Sequence, residues 1–210
     1  MPVKNDREYR NMIMEVREAS EENGKMLVRG YATVFDEPYE LFRYGGTVFK
    51  EVIKRGAFDE TDMSDVIFQY NHEGRVFART SNNTLDLKQD DKGLLIEADL
   101  SGTEMGRQLY QEIRDGYTTK MSFGFTVGKT NRATEETEEG AQILTREILS
   151  IRKLYDVSAV SIPANDATEI SVRNLVDGEI ERIQAERLEA EKLELRRRKL
   201  LMRLQMEAQK

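Results

Sequence analysis

Lys120-Met121-Ser122-Phe123-Gly124-Phe125-Thr126-Val127 is the stretch whose reading decides the fold. Its residues alternate. Met121, Phe123, Phe125 and Val127 share one face of an extended strand, and Lys120, Ser122, Gly124 and Thr126 share the other. The apolar face anchors the strand in a core. The opposite face is small and nearly bare, with one hydroxyl standing on it. A serine nucleophile needs a rigid backbone and free space in front of its oxygen. A serine in a strand is more often structural than catalytic, so its role depends on what else the chain offers to pair with it.

Just upstream, the sequence predicts a helix that leads directly into this strand. Thr103 is placed as its N-cap, and Glu104 complements the dipole in the first turn. Met105, Leu109 and Ile113 recur every four residues as an apolar stripe, with Tyr110 beside it. Gly116 ends the helix. The serine is therefore carried by two regular elements rather than by a loop.

Composition removes several classes of chemistry. The 210 residues contain no cysteine, which excludes disulfides, zinc-thiolate sites and cysteine nucleophiles. There is one histidine, His72, so any imidazole chemistry must use it. A net charge of -7 argues against a nucleic-acid binder, which would carry a basic stripe. No apolar run approaches membrane-spanning length, and the opening residues MPVKNDREYR are polar, unlike a signal peptide.

The rest of the chain reads as short strands separated by turns. Tyr9 to Val16 and Lys25 to Phe35 are expected to pair as a hairpin across Glu21-Glu22-Asn23-Gly24. Val48 to Ile53 is a short apolar strand. Val66 to His72 is another, with His72 as its last residue, just before Glu73-Gly74, where a side chain can face a cleft. Leu85 to Leu87 and Leu94 to Leu100 form a hairpin across Gln89-Asp90-Asp91-Lys92-Gly93. Thr130 to Gly140 is polar and acidic and reads as a loop. Gln142 to Leu154 reads as one long bent strand, and Tyr155 to Pro163 as the last β segment. From Asp177 the composition shifts to Glu, Arg, Lys, Leu and Gln, which predicts a long charged helix without one clean heptad. Its Arg196-Arg197-Arg198-Lys199 run is a solvated basic face. The expected division is a domain over residues 1–176 and a helical arm over 177–210.

Three polar residues, His72, Ser122 and Asp156, lie on or beside apolar strands far apart in sequence. Together they would support one specific chemistry. A neutral imidazole takes the serine proton, the alkoxide attacks a carbonyl, and the carboxylate orients the resulting imidazolium. Taken singly, His72 and Asp156 read as ordinary structural residues.

The ordered set NHE at 71–73, KMSFGF at 120–125 and LYDVSAVSIPAN at 154–165 resembles the prohead proteases of tailed bacteriophages. GYATVFDE at 30–37 and RGAF at 55–58 also resemble that family, and the likeness runs over roughly residues 25 to 173. The resemblance implies an α+β fold like that of herpesvirus assembly proteases: a mostly antiparallel β-barrel with flanking helices. It implies Ser122 as nucleophile, His72 as general base and then acid, and Asp156 as orienter. The related viral enzymes use a second histidine in the third place, which a chain with one histidine cannot supply. Oxyanion donors are expected in the loop 164–167. The implied substrates are the major capsid protein or a scaffolding protein, and the protease itself, inside the assembling procapsid in the host cytoplasm. A homodimer follows by analogy, and no metal, cofactor, nucleic acid or membrane is implied. A second reading is a catalytically silent scaffold or procapsid assembly protein that uses the helical arm. A general esterase is weaker, since the chain has no G-x-S-x-G elbow and no βαβ alternation.

Overall fold

The computed structural model describes residues 7–12, 18–22, 24–44, 46–137, 142–161, 189, 192–194 and 196–198. The chain divides into two compact units, Met1–Ala167 and Thr168–Lys210. In chain order the first unit holds β1 (Arg7–Met12), β2 (Glu18–Glu22), β3 (Lys25–Val34), β4 (Tyr39–Tyr44), β5 (Thr47–Ile53), β6 (Ile67–Tyr70) and β7 (Glu73–Arg79). These are followed by β8 (Leu85–Gln89), β9 (Gly93–Asp99), α1 (Glu104–Arg114), β10 (Lys120–Val127), β11 (Thr130–Glu136), β12 (Gln142–Ile148) and β13 (Ile151–Val160).

The strands form three sheets, ordered β1-β10-β13-β6-β7, β11-β12-β5-β4 and β2-β3-β9-β8. Pairing is antiparallel except between β12 and β5 and between β13 and β6. The mostly antiparallel α+β character is as expected, but among the described residues no sheet closes into a barrel. Each ends on a strand with one partner, whereas a barrel needs every strand paired on both sides. In the second unit the described residues are helical only at Glu189, at 192–194 and at 196–198. The long charged helix expected from Asp177 is not supported, and most of that stretch lies outside the described residues.

The core forms where the alternation places it. Met121, Phe123 and Phe125 of β10 are fully buried, and the rings of Phe123 and Phe125 stack with centroids 4.6 Å apart. Phe58, Phe68, Ile96, Leu154 and Val157 join them. Helix α1 is built as its sequence predicts. Thr103 Oγ1 accepts from the Gly106 amide at 2.9 Å, and Leu109, Tyr110 and Ile113 are buried, although Met105 stays exposed.

Three segments pair differently from expectation. β1 does not join β3; it lies antiparallel to β10, and β3 takes β2 instead. The polar stretch 130–136 is a strand, β11, at the edge of its sheet. Its exposed residues are charged or polar on both faces, so no alternation marks it, and charge on an edge discourages pairing with other chains. The long strand from Gln142 is two, β12 and β13, broken at Leu149-Ser150.

A buried ionic cluster fastens β1 to the second sheet. Arg10 Nε donates to Glu51 Oε1 at 2.5 Å and Arg10 Nη2 to Glu51 Oε2 at 3.0 Å. Arg10 Nη2 also bonds Glu8, and the Tyr39 hydroxyl bonds Glu51. Arg146 reaches Glu8 at 2.8 Å and Glu51 at 3.1 Å. Two guanidinium groups thus face two carboxylates. Losing one partner would leave an unpaired buried charge, at a cost of about 3–5 kcal/mol. Burial pushes the Tyr39 phenol well above its ordinary value, reinforced by Glu51, so it stays a donor.

Burial would raise the Glu8 carboxyl, but the Arg146 and Arg10 guanidiniums outweigh it and hold Glu8 below its ordinary 4.5. Its contribution to stability is therefore complete above pH 4.5 and is lost as pH falls through the lower folded value. Thermal unfolding of Glu8→Gln against wild type should show a deficit at pH 7 that narrows on acidification. A deficit independent of pH would contradict this account of the cluster.

Candidate active site

Each of the three residues singled out in the sequence is held by a different element of one sheet. Ser122 is the third residue of β10. Asp156 sits in β13, with Gly124 as its partner in β10, and Ser158 lies opposite Ser122. Residues two apart on a strand share a face, so this register puts Ser122 and Asp156 on the same side of the sheet.

His72 arrives from a tight hairpin. Tyr70 pairs with Glu73, leaving Asn71 and His72 as a two-residue loop, with φ of 52° and 59°. Positive φ at both central residues is the mark of a type I′ turn, where Asn-Gly is the usual pair. Here a histidine occupies the glycine place. Asn71 fixes the loop to the end of β13: its amide donates to the Ala159 carbonyl at 2.9 Å, and its Oδ1 accepts from the Ser161 amide at 3.0 Å. Parallel pairing of β6 with β13, Tyr70 beside Ala159, sets this hairpin at the end of β13, and the His72 side chain reaches Asp156 from there.

The imidazole bridges the other two residues. Its Nδ1 lies 2.5 Å from Asp156 Oδ1, and its Nε2 lies 2.5 Å from Ser122 Oγ. A carboxylate can only accept, so in the neutral ring Nδ1 carries the proton and Nε2 is free to accept from the serine hydroxyl. The Asp156 side chain is 2% exposed and that of His72 is 15% exposed. Ser158 Oγ also donates to Asp156 Oδ1, at 3.0 Å.

Ser122 differs from expectation in one respect. Its face is not open; the residue is fully buried. β1 lies alongside, and Ser122 Oγ can donate to the Arg10 carbonyl at 2.9 Å. A hydroxyl has one proton, so it serves either the Arg10 carbonyl or His72 Nε2 at a given moment. The Tyr9 ring packs on the His72 ring, with centroids 4.5 Å apart. The loop expected to supply oxyanion donors, 164–167, lies outside the described residues.

Several contributors escaped the sequence reading. Gly124 is the floor beneath the carboxylate: a Cβ there would lie 2.3 Å from Asp156 Oδ2 and 2.7 Å from the Tyr9 ring. A glycine two positions after the serine, on the same face, was the available signal. Ser158 carries the same kind of signal, two positions after Asp156. Nothing local marks Tyr9 or the Arg10 carbonyl, since both arrive through long-range strand pairing. Among the described residues no cluster of His, Asp and Glu could hold a metal ion.

The sequence profile described as caudovirus prohead serine protease matches residues 13–183. No curated protein matches the chain. Among solved structures, the bacteriophage T4 capsid assembly protease is similar at 13% identity and a TM-score of 0.42, covering 73% of this chain and 96% of that one. A likeness that slight adds nothing to the geometry.

Two outcomes test how the site is held. A left-handed backbone costs a residue with a Cβ about 1–2 kcal/mol, so His72→Gly should be more stable than His72→Ala by roughly 1 kcal/mol in urea unfolding. An alanine as stable as glycine would mean the loop is not left-handed at that position. Gly124→Ala should keep the fold while cutting cleavage at least about a hundredfold, because the added methyl must displace the Asp156 carboxylate or the Tyr9 ring. Near-normal cleavage in a folded variant would contradict that placement.

Proposed function

This chain belongs to the caudovirus prohead serine protease family, and from that premise we propose that it is the endopeptidase of procapsid maturation, acting through Ser122, His72 and Asp156. The observation that supports this reading best is the unbroken run of contacts from Asp156 through His72 to Ser122. His72 Nε2 takes the Ser122 proton as Oγ attacks the carbonyl carbon of the scissile peptide bond. The imidazolium that forms is held by the Asp156 carboxylate. It then gives its proton to the departing amine nitrogen, leaving an acyl ester on Ser122. Water repeats the cycle: His72 takes its proton, the hydroxide attacks the ester, and Ser122 regains its hydrogen.

The Arg10 carbonyl belongs to the resting state. When the serine proton turns to Nε2, Oγ and that carbonyl oxygen face each other without hydrogen between them, so catalysis requires giving up this bond. The substrates on this reading are a scaffolding protein or the scaffolding segment of the major capsid protein, and the protease itself. The work is done inside the assembling procapsid, in the infected cell. The enzyme acts as a homodimer by analogy with related viral proteases. The polar relay favours this over the reading as a silent assembly protein, which has no physical use for an imidazole held between a buried acid and a buried hydroxyl.

The test is cleavage of the capsid and scaffold proteins by the purified full chain. Ser122→Ala and His72→Ala should each lower kcat by roughly 10⁶, and Asp156→Asn by less, on the order of 10⁴, because packing partly replaces an orienter. Cleavage that persists in Ser122→Ala would overturn the proposal, and full activity in Asp156→Asn would reduce the relay to a dyad.

A further inference from the structure

Ser158 has no place in the relay as proposed, yet its side chain points at the centre of it. The residue is fully buried in β13, a strand paired on both sides, with Ser122 opposite in β10 and Gln69 opposite in β6. Its backbone therefore has little freedom. The bond its hydroxyl makes is to Asp156 Oδ1, at 3.0 Å. That oxygen is also the one facing His72 Nδ1. Two donors thus converge on one oxygen of a carboxylate that is 2% exposed.

We propose that Ser158 is a positioning residue for the reaction: its hydroxyl holds the Asp156 carboxylate at the angle from which Oδ1 meets the His72 ring. This rests on the reading of Ser122 as nucleophile. The terminal torsion of an aspartate is soft, so one hydrogen bond leaves the carboxylate plane free to swing. A second donor, anchored on a strand interior, removes that freedom. It also supplies hydrogen-bonding to a charge that water hardly reaches. Oδ1 thus accepts from two directions at once, which keeps it aimed at the Nδ1 proton and leaves Nε2 as the ring's acceptor. The other oxygen, Oδ2, lies over Gly124, close enough that a Cβ there would come within 2.3 Å of it. If the hydroxyl merely filled space, alanine would serve as well.

The chain contains a single histidine, so the imidazole Nδ1 proton and ring nitrogen resonances are unambiguous by NMR. In Ser158→Ala these resonances should shift, and Ser158→Thr, which keeps the hydroxyl, should return them towards wild type. In cleavage assays Ser158→Ala should lower kcat about tenfold to a hundredfold, with KM unchanged, as expected for losing a hydrogen bond to a charged group. In an Asp156→Asn background the same change should cost less than about twofold, because Ser158 acts through that carboxylate. Ser158→Cys, close to serine in volume, is the second variant if alanine lowers expression, and should reproduce the resonance shift. Unchanged His72 resonances, or a full additive loss alongside Asp156→Asn, would overturn the proposal. Cleavage persisting in Ser122→Ala would overturn the catalytic reading alone, since the His72 resonance reports the Ser158 bond without turnover.

Discussion

Antiparallel pairing between β10 and β13 places Gly124 opposite Asp156 and Ser122 opposite Ser158, and the whole site depends on that register. Side chains alternate along both strands, so a slip of one residue would turn Asp156 into the core and leave the serine facing nothing. Apolar packing prevents the slip. Met121, Phe123 and Phe125 are bound into the core from β10, and Leu154, Val157 and Ala159 from β13. Burial of the apolar face thus sets the chemistry of the polar one. This is the link from hydrophobic alternation to a hydrogen-bonded relay.

The histidine is placed by different means. A two-residue loop with both residues left-handed is a turn that sequence chemistry would fill with Asn-Gly. Putting an imidazole there spends local stability on direction. The loop holds because Asn71 is tied to Ala159 and Ser161. β1 supplies a third kind of constraint. Its two faces have different tasks: Glu8 and Arg10 enter the ionic cluster with Glu51 and Arg146, while Tyr9 lies against His72. The cluster fixes the strand, and the strand brings the Arg10 carbonyl to the serine oxygen. Stability and the hydrogen bonding of the Ser122 hydroxyl are coupled through one short segment.

Much of this was legible in the residues. Alternation in 120–127 marks the serine strand, Thr103 and Gly116 mark the ends of α1, and Gln89 to Gly93 mark a hairpin. The roles of His72 and Asp156 came from a family resemblance, because no local pattern ties together residues so far apart in sequence. What stayed hidden has common causes. Partner choice for β1 is a long-range event with no signature in its own six residues. Strand β11 is exposed on both faces, so it lacks the alternation that reveals a strand. The break at Leu149-Ser150 carries neither glycine nor proline. Sheet closure depends on shear and on which edges meet, and a strand count does not determine either. The His72 turn was read as a strand end because histidine is rare where glycine is usual.

The most direct test of the central claim is to treat the full chain with diisopropyl fluorophosphate and locate the adduct by mass spectrometry. The relay predicts one phosphoryl adduct, on Ser122, forming more slowly by on the order of a hundredfold or more in His72→Ala. An adduct on another residue, or equally fast labelling without the imidazole, would contradict it.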